Sequence, residues 1–160
     1  MNYHRIKHCD LLNGENIGIS IWLAGCSHNC KGCFNPDTHN PFSGKLFDEA
    51  AKEEIFSELS QEWCKRLTLT GGDPLFPDNR PTIFSLVKEV KEKFPDKKIW
   101  IYTGYLYDSI KDWIGVKDIL QYCDVIVDGP FIEEQKEYGL KWRGSKNQRV
   151  IDLETGKDLV

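Results

Sequence analysis

Ile17-Gly18-Ile19-Ser20-Ile21-Trp22-Leu23-Ala24 alternates in the manner of a strand, and it runs directly into Gly25-Cys26-Ser27-His28-Asn29-Cys30-Lys31-Gly32-Cys33. A strand that ends in glycine and then a chemically loaded loop is a pattern to look for elsewhere in the chain. It recurs three times. Arg66 to Thr70 is a β-branched strand followed by Gly71-Gly72-Asp73-Pro74. Lys98 to Tyr102 leads into Thr103-Gly104-Tyr105, and Asp124 to Val127 into Asp128-Gly129-Pro130. Helical periods lie between these strands. Asp48 to Leu59 places Ala51, Ile55 and Leu59 four apart. Pro81 opens a helix carrying Ile83, Val87, Val90 and Phe94, because the amide it lacks has no partner in a first turn. Val116 to Tyr122 is a further helix, and Asn35 to Gly44 is a loop by its Pro, Asn, Asp and Gly content. Asn13-Gly14 marks a turn between short N-terminal strands, and the tail from Lys141 to Leu153 holds a last short strand or extended segment.

Strand and helix in alternation predict an α/β fold with a parallel sheet. In such sheets ligands bind at the carboxyl ends of the strands, so four glycine-bearing strand ends predict one site on one rim. A closed eight-stranded barrel takes about 250 residues. The 160 residues here predict a partial, open (β/α) barrel forming one domain over 1–160.

Composition narrows the function. The chain is 40% hydrophobic and 29% charged, with 21 Lys and Arg against 25 Asp and Glu and a net charge of -4. That balance lacks the basic footprint of a nucleic-acid binder. No apolar run approaches the length of a membrane span, and Met1-Asn2-Tyr3-His4-Arg5 is not the start of a secretory signal, which predicts a cytoplasmic protein. In a reducing compartment, clustered cysteines indicate a metal or redox site before a disulfide. Cys26, Cys30 and Cys33 form such a cluster, whereas Cys9, Cys64 and Cys123 lie apart and are expected to be packing residues.

Three thiolates from one loop leave several readings open. A [4Fe-4S] cluster normally takes four cysteines, so three would leave one iron open to a ligand. Structural zinc needs a fourth donor, for which His28, His39 or Cys64 is available, but zinc sites usually draw on two separated pairs. Free thiols are the third reading. Trp100, Tyr102, Tyr105 and Phe131 fit a core better than a pocket, and Arg143, Ser145, Asn147 and Gln148 fit a solvated loop as well as a contact surface. The acidic run Glu133-Glu134-Gln135-Lys136-Glu137 is a solvated face.

The segment Cys26-Ser27-His28-Asn29-Cys30-Lys31-Gly32-Cys33-Phe34-Asn35 resembles the cluster loop of the radical S-adenosylmethionine (SAM) superfamily, and Gly71-Gly72-Asp73-Pro74 resembles its second motif, with Asp73 where Glu is usual. The likeness extends in order through Met1-Asn2-Tyr3-His4, Asn13-Gly14, Leu69 to Leu75, Ile99 to Tyr105, Val127-Asp128-Gly129 and Trp142-Arg143-Gly144-Ser145. Over this span the chain is similar to the activating enzymes of anaerobic (class III) ribonucleoside-triphosphate reductase. The resemblance implies a radical SAM type of partial barrel and a [4Fe-4S] cluster on Cys26, Cys30 and Cys33. It implies SAM held by Gly32, Cys33, Phe34, Gly71, Gly72 and Asp73, with Gly32 standing where many relatives carry the aromatic residue that stacks near the adenine. The implied reaction is electron transfer from the cluster to SAM, giving a 5′-deoxyadenosyl radical that takes hydrogen from a glycine of the reductase. Reduced flavodoxin is the implied electron donor, and no side chain is expected to act as acid or base. Two other functions fit less of the sequence: a radical SAM enzyme acting on a small molecule, and a non-catalytic metal-binding or redox-sensing protein.

Overall fold

The computed structural model describes all residues 1–160. Its centre is four parallel strands, β2 (Gly18–Leu23), β4 (Arg66–Gly71), β5 (Lys98–Tyr102) and β6 (Val125–Asp128), adjacent in that order. The alternation read from the sequence places each of them to within a residue or two. The sheet as a whole is mixed. β1 (Asn2–Asp10) lies antiparallel to β2 and carries the two-residue β3 (Lys45–Leu46) on its outer edge, while β7 (Arg149–Asp152) lies antiparallel to β6. The order is β3-β1-β2-β4-β5-β6-β7, with two free edges, so the sheet is not closed. The parallel set is extended by antiparallel strands at both edges; residues 11–17, which include the Asn13-Gly14 turn, join β1 to β2 directly and leave no room for a crossover helix.

Helices α1 (Glu49–Leu59), α2 (Arg80–Lys93), α3 (Tyr107–Ile110) and α4 (Val116–Leu120) connect the parallel strands. The strands advance across the sheet in one direction, and crossovers between parallel strands share one hand as a rule. All the helices therefore fall on one face. Asp48 caps α1 by accepting from the Ala51 amide at 2.9 Å, and Pro81 sits in the first turn of α2 as its chemistry suggests. α4 stops two residues short of the expected end, as Gln121 closes its last turn.

Period-two alternation sorts the strand side chains onto two unlike faces. Ile19, Ile21, Leu23, Leu67, Leu69, Ile99, Ile101 and Ile126 join the helices in one apolar core, which also holds Cys64 and Cys123. The opposite, concave face carries Ser20, Trp22, Arg66, Thr68, Thr70, Trp100 and Tyr102, and no helix covers it. Instead the 11–17 connection and Trp142 lie over it. Arg66 is wholly buried there; it donates to Thr68 Oγ1 at 2.8 Å and to the Asp10 carbonyl at 2.8 Å, beside the buried Asp10 carboxylate at 3.8 Å. Cys9 departs from expectation. It is exposed, at a φ of 48° within a register irregularity between Lys7 and Asp10, so it does not pack.

Candidate functional site

Because β2, β4, β5 and β6 are parallel, their carboxyl ends meet on one rim, and a cavity of about 570 Å3 opens there on the concave side. Each of the four glycine-bearing strand ends contributes to its wall: Cys26 after β2, Gly71 and Gly72 at β4, Thr103 and Gly104 after β5, and Gly129 after β6. The rim is stitched by backbone hydrogen bonds. Gly72 N donates to Leu23 O at 2.8 Å, Asp73 N to Gly25 O at 2.7 Å, and Gly25 N to Thr38 O at 2.7 Å. These contacts explain the paired glycines. A Cβ on Gly71 would lie 2.3 Å from the Leu23 amide nitrogen, at a φ of +106°, and one on Gly72 would lie 2.6 Å from Gly25 O. The ends of β2 and β4 approach too closely for any side chain, whether or not a ligand is bound.

Cys26, Cys30 and Cys33 all line the cavity. Cys33 N donates to Cys30 O at 3.2 Å, closing the turn, and Asn35 N donates to Cys33 Sγ at 3.4 Å. Burial pushes the Cys26 thiol up to about 11, an effect opposed but not cancelled by the nearby backbone amides of His28 and Asn29. A bound metal reverses such a preference by taking the thiolate directly. No three His, Cys, Asp or Glu side chains converge as ligands of a single ion would. An iron–sulfur cube makes a different demand, one thiolate for each of three irons around a shared space, and three thiols along one cavity wall fit it. Cys64 is buried in the helix-side core and is not part of this wall, which removes it as a fourth donor.

The other expected site residues divide. Phe34 lines the cavity, 58% exposed, with its ring 4.8 Å from that of Phe131. Gly71 and Gly72 line it as well. Gly32 does not: it turns the cysteine loop at a φ of +72°, and its open side faces the Glu133 carboxylate. Asp73 does not either. Its side chain is 1% exposed and points beneath the rim, where it accepts from His28 Nε2 at 2.6 Å, Thr103 Oγ1 at 2.9 Å, Gly104 N at 3.0 Å and Leu75 N at 2.8 Å. Tyr102 and Phe131 line the cavity, while Trp100 lies buried below it.

The C-terminal polar group is built into the rim. Gln148 Oε1 accepts from the Gly144 and Ser145 amides, Gln148 Nε2 donates to Gly129 O at 2.9 Å, and Asn147 Nδ2 donates to Pro130 O at 2.7 Å. Arg143 and Gln148 reach the cavity. Sequence reading missed Arg5, Lys7 and Trp22, which also line it, with the Arg5 guanidinium 4.1 Å from the centre of the Trp22 ring. A signal was present: Arg5 and Lys7 are two apart on a strand and so share a face. No carboxylate lines the cavity, so its charged walls are cationic.

Known proteins bear on this geometry. Residues 12–151 match the family model of a 4Fe-4S single cluster domain. The chain is 45% identical over 150 residues to an anaerobic ribonucleoside-triphosphate reductase-activating protein of Enterobacteria phage T4, covering 94% of this chain and 93% of that one. It is 41% identical over 152 residues to the protein of that name from Vibrio cholerae, covering 94% and 97%. The Escherichia coli protein of the same name is 38% identical over 155 residues, covering 96% and 99%. The family match runs through the cysteine loop, the glycine rim and the C-terminal polar segment, and the chain belongs to the family of anaerobic ribonucleoside-triphosphate reductase-activating proteins, with the 4Fe-4S single cluster domain that the match describes.

Proposed function

We infer that this protein is a glycyl-radical activating enzyme of anaerobic ribonucleoside-triphosphate reductase, built as one domain over 1–160 on a partial, open (β/α) barrel of the radical SAM type. The observation that carries the reading is the placement of three thiols and four glycine-bearing strand ends on one cavity wall. In this reading Cys26, Cys30 and Cys33 hold a [4Fe-4S] cluster, and Gly71 and Gly72 present backbone to SAM. Phe34 flanks the ligand, while Gly32 and Asp73 shape the site from outside its wall. With cluster and SAM bound and one electron supplied, by reduced flavodoxin in this reading, the site yields a 5′-deoxyadenosyl radical that takes a hydrogen atom from a glycine of the reductase.

The chain's own residues bind, orient and shield. The amides of His28, Asn29 and Asn35 stabilise negative charge on the cysteine sulfurs. Arg5, Lys7 and Arg143 give the wall the positive potential that suits a SAM carboxylate and a cluster whose thiolates leave it net negative. No helix covers the concave face, and Phe34 stands exposed at the rim. A reactive radical needs shielding from water, so the enclosure is completed by the glycine-bearing loop of the partner. The test is to mix anaerobic, cluster-loaded protein with SAM, a reductant and the reductase, and to read electron paramagnetic resonance. A lasting glycyl signal is expected, formed with 5′-deoxyadenosine and lost when the reductase's radical glycine is changed to Ala. A small molecule that is altered during SAM cleavage with no reductase present would refute the reading.

A further inference from the structure

The cysteine loop has few ties to the body of the protein. Between Cys26 and Cys33 the backbone makes no hydrogen bond to the sheet, and Lys31 reaches Glu133 and Glu134 only at 3.8 and 3.7 Å while 81% exposed. Exposed pairs of this kind contribute little. One side chain in the loop is hydrogen-bonded into the interior, His28. Its ring lies in a slot: Nε2 donates to Asp73 Oδ2 at 2.6 Å, Tyr105 meets it edge-on at 4.5 Å between centroids, and Gly104 lies beneath it. A Cβ on Gly104 would lie 2.4 Å from the ring, so only glycine there leaves the slot open. In the chain His28 stands between two of the cluster cysteines, Cys26 and Cys30.

Asp73 is fully committed to this arrangement. Its Oδ2 accepts from three donors, His28 Nε2, Thr103 Oγ1 and Gly104 N, and its Oδ1 from Leu75 N. With 1% of its side chain exposed and no place on the cavity wall, it is out of reach of a ligand's ammonium group in the cavity. Resting on the cluster reading above, we propose that Asp73 and His28 act together as a positioning latch: the carboxylate at the end of β4 holds the His28 ring against β5, and His28 holds the cysteine loop so that its thiols face the cavity. Asp73 does not itself bind SAM. The shorter Asp, in place of Glu, suits this task, since it bonds within the rim and does not project past it.

The latch and a direct ligand role differ before any SAM is added. In protein loaded anaerobically with iron and sulfide, Asp73→Ala and His28→Ala should each release iron to a chelator about tenfold faster, the scale set by losing one buried charge-assisted hydrogen bond. Each should also shift the resonance spectrum of the reduced cluster without SAM. The double variant should be no worse than the more affected single one, because both remove the same contact. His28→Gln keeps a donor near the Nε2 position and should restore slow release. His28→Leu, of similar size, should not, and this pair carries the test where an alanine variant fails to fold. The latch is overturned if Asp73→Ala weakens SAM binding with an unchanged SAM-free spectrum while His28→Ala has no effect, or if Gln and Leu at position 28 release iron equally fast. Wild-type protein that takes up no four-iron cluster would defeat the cluster reading and the latch with it. Normal loading of the wild type beside indistinguishable variants would defeat the latch alone.

Discussion

The two faces of the central sheet are drawn from the same strands and obey opposite rules. On the helix side, Ile19, Ile21, Leu67, Leu69, Ile99 and Ile101 are fully buried among hydrocarbon, and that face carries no site. On the concave side, the intervening residues include a buried arginine, a buried aspartate and a run of hydroxyls, and at its rim lie the thiols and glycines. Cysteine shows the contrast in one residue type. Burial in the core raises the Cys64 and Cys123 thiols with no chemistry attached, whereas Cys26, raised by burial as well, lines the cavity with the His28 and Asn29 amides acting against that rise. A partly polar interior is tolerable only if its groups are paired, so the concave face holds its stability in a few specific contacts and the helix face in many interchangeable ones.

That contrast breaks most visibly at the thiols. Cys26→Ala, Cys30→Ala and Cys33→Ala should each abolish cluster binding, read as iron per protein and as loss of the reduced-cluster resonance, while Cys64→Ala keeps the iron and loses packing. Iron lost from a folded Cys64→Ala protein would mean the two faces are not separate. Next in size is Arg66→Ala, expected to cost about 3–5 kcal/mol in urea unfolding, because it removes a wholly buried cation that faces Asp10 and leaves the groups it donates to, Thr68 Oγ1 and the Asp10 carbonyl, without their donor. Leu69→Ala, on the other side of the same strand, should cost about 2–5 kcal/mol by leaving a cavity. The iron content of its folded fraction should be unchanged, which separates core stability from site chemistry.

The smallest effects concern pH and act on the two faces from opposite ends of the scale. Burial raises the Asp10 carboxyl, but hydrogen bonds from Ser20, the Leu12 amide and Asn13, with Arg66 nearby, outweigh it and leave the group below its ordinary value. A depressed carboxyl contributes stability that is present above its unfolded value, near pH 4, and is lost as pH falls through the folded one. Acid unfolding should therefore weaken in Asp10→Asn relative to its own stability at neutral pH. On the helix side, His8 bridges β1 to α1, its ring nitrogens meeting Glu54 at 2.7 Å and Glu58. The hydrogen bond to Glu54 is the main cause of its raised value; burial opposes it, and Glu58 adds to it. This contribution is complete below about pH 6.5 and is lost as pH rises through the folded value. His8→Ala should flatten the urea midpoint between pH 6 and pH 9, and an unchanged slope would remove this tie from the account.

What the sequence determined by itself is everything that depends on a short period. Alternation located β2, β4, β5 and β6, four-residue spacing located α1 and α2, and the spacing of Cys26, Cys30 and Cys33 with the glycine after each strand indicated one rim and a cluster. Such features are set by backbone geometry over a few residues, so neighbours in the chain suffice to specify them. Tertiary structure decided which way Asp73 points, because its His28 partner comes from 45 residues earlier and its Thr103 partner from 30 residues later. It decided that Arg5 and Lys7 enter the cavity, since that depends on β1 lying antiparallel beside β2, and that Cys9 stays exposed at an irregularity in the same pairing. An environment made by distant segments has no local period, and burial, charge and orientation at the rim follow from it.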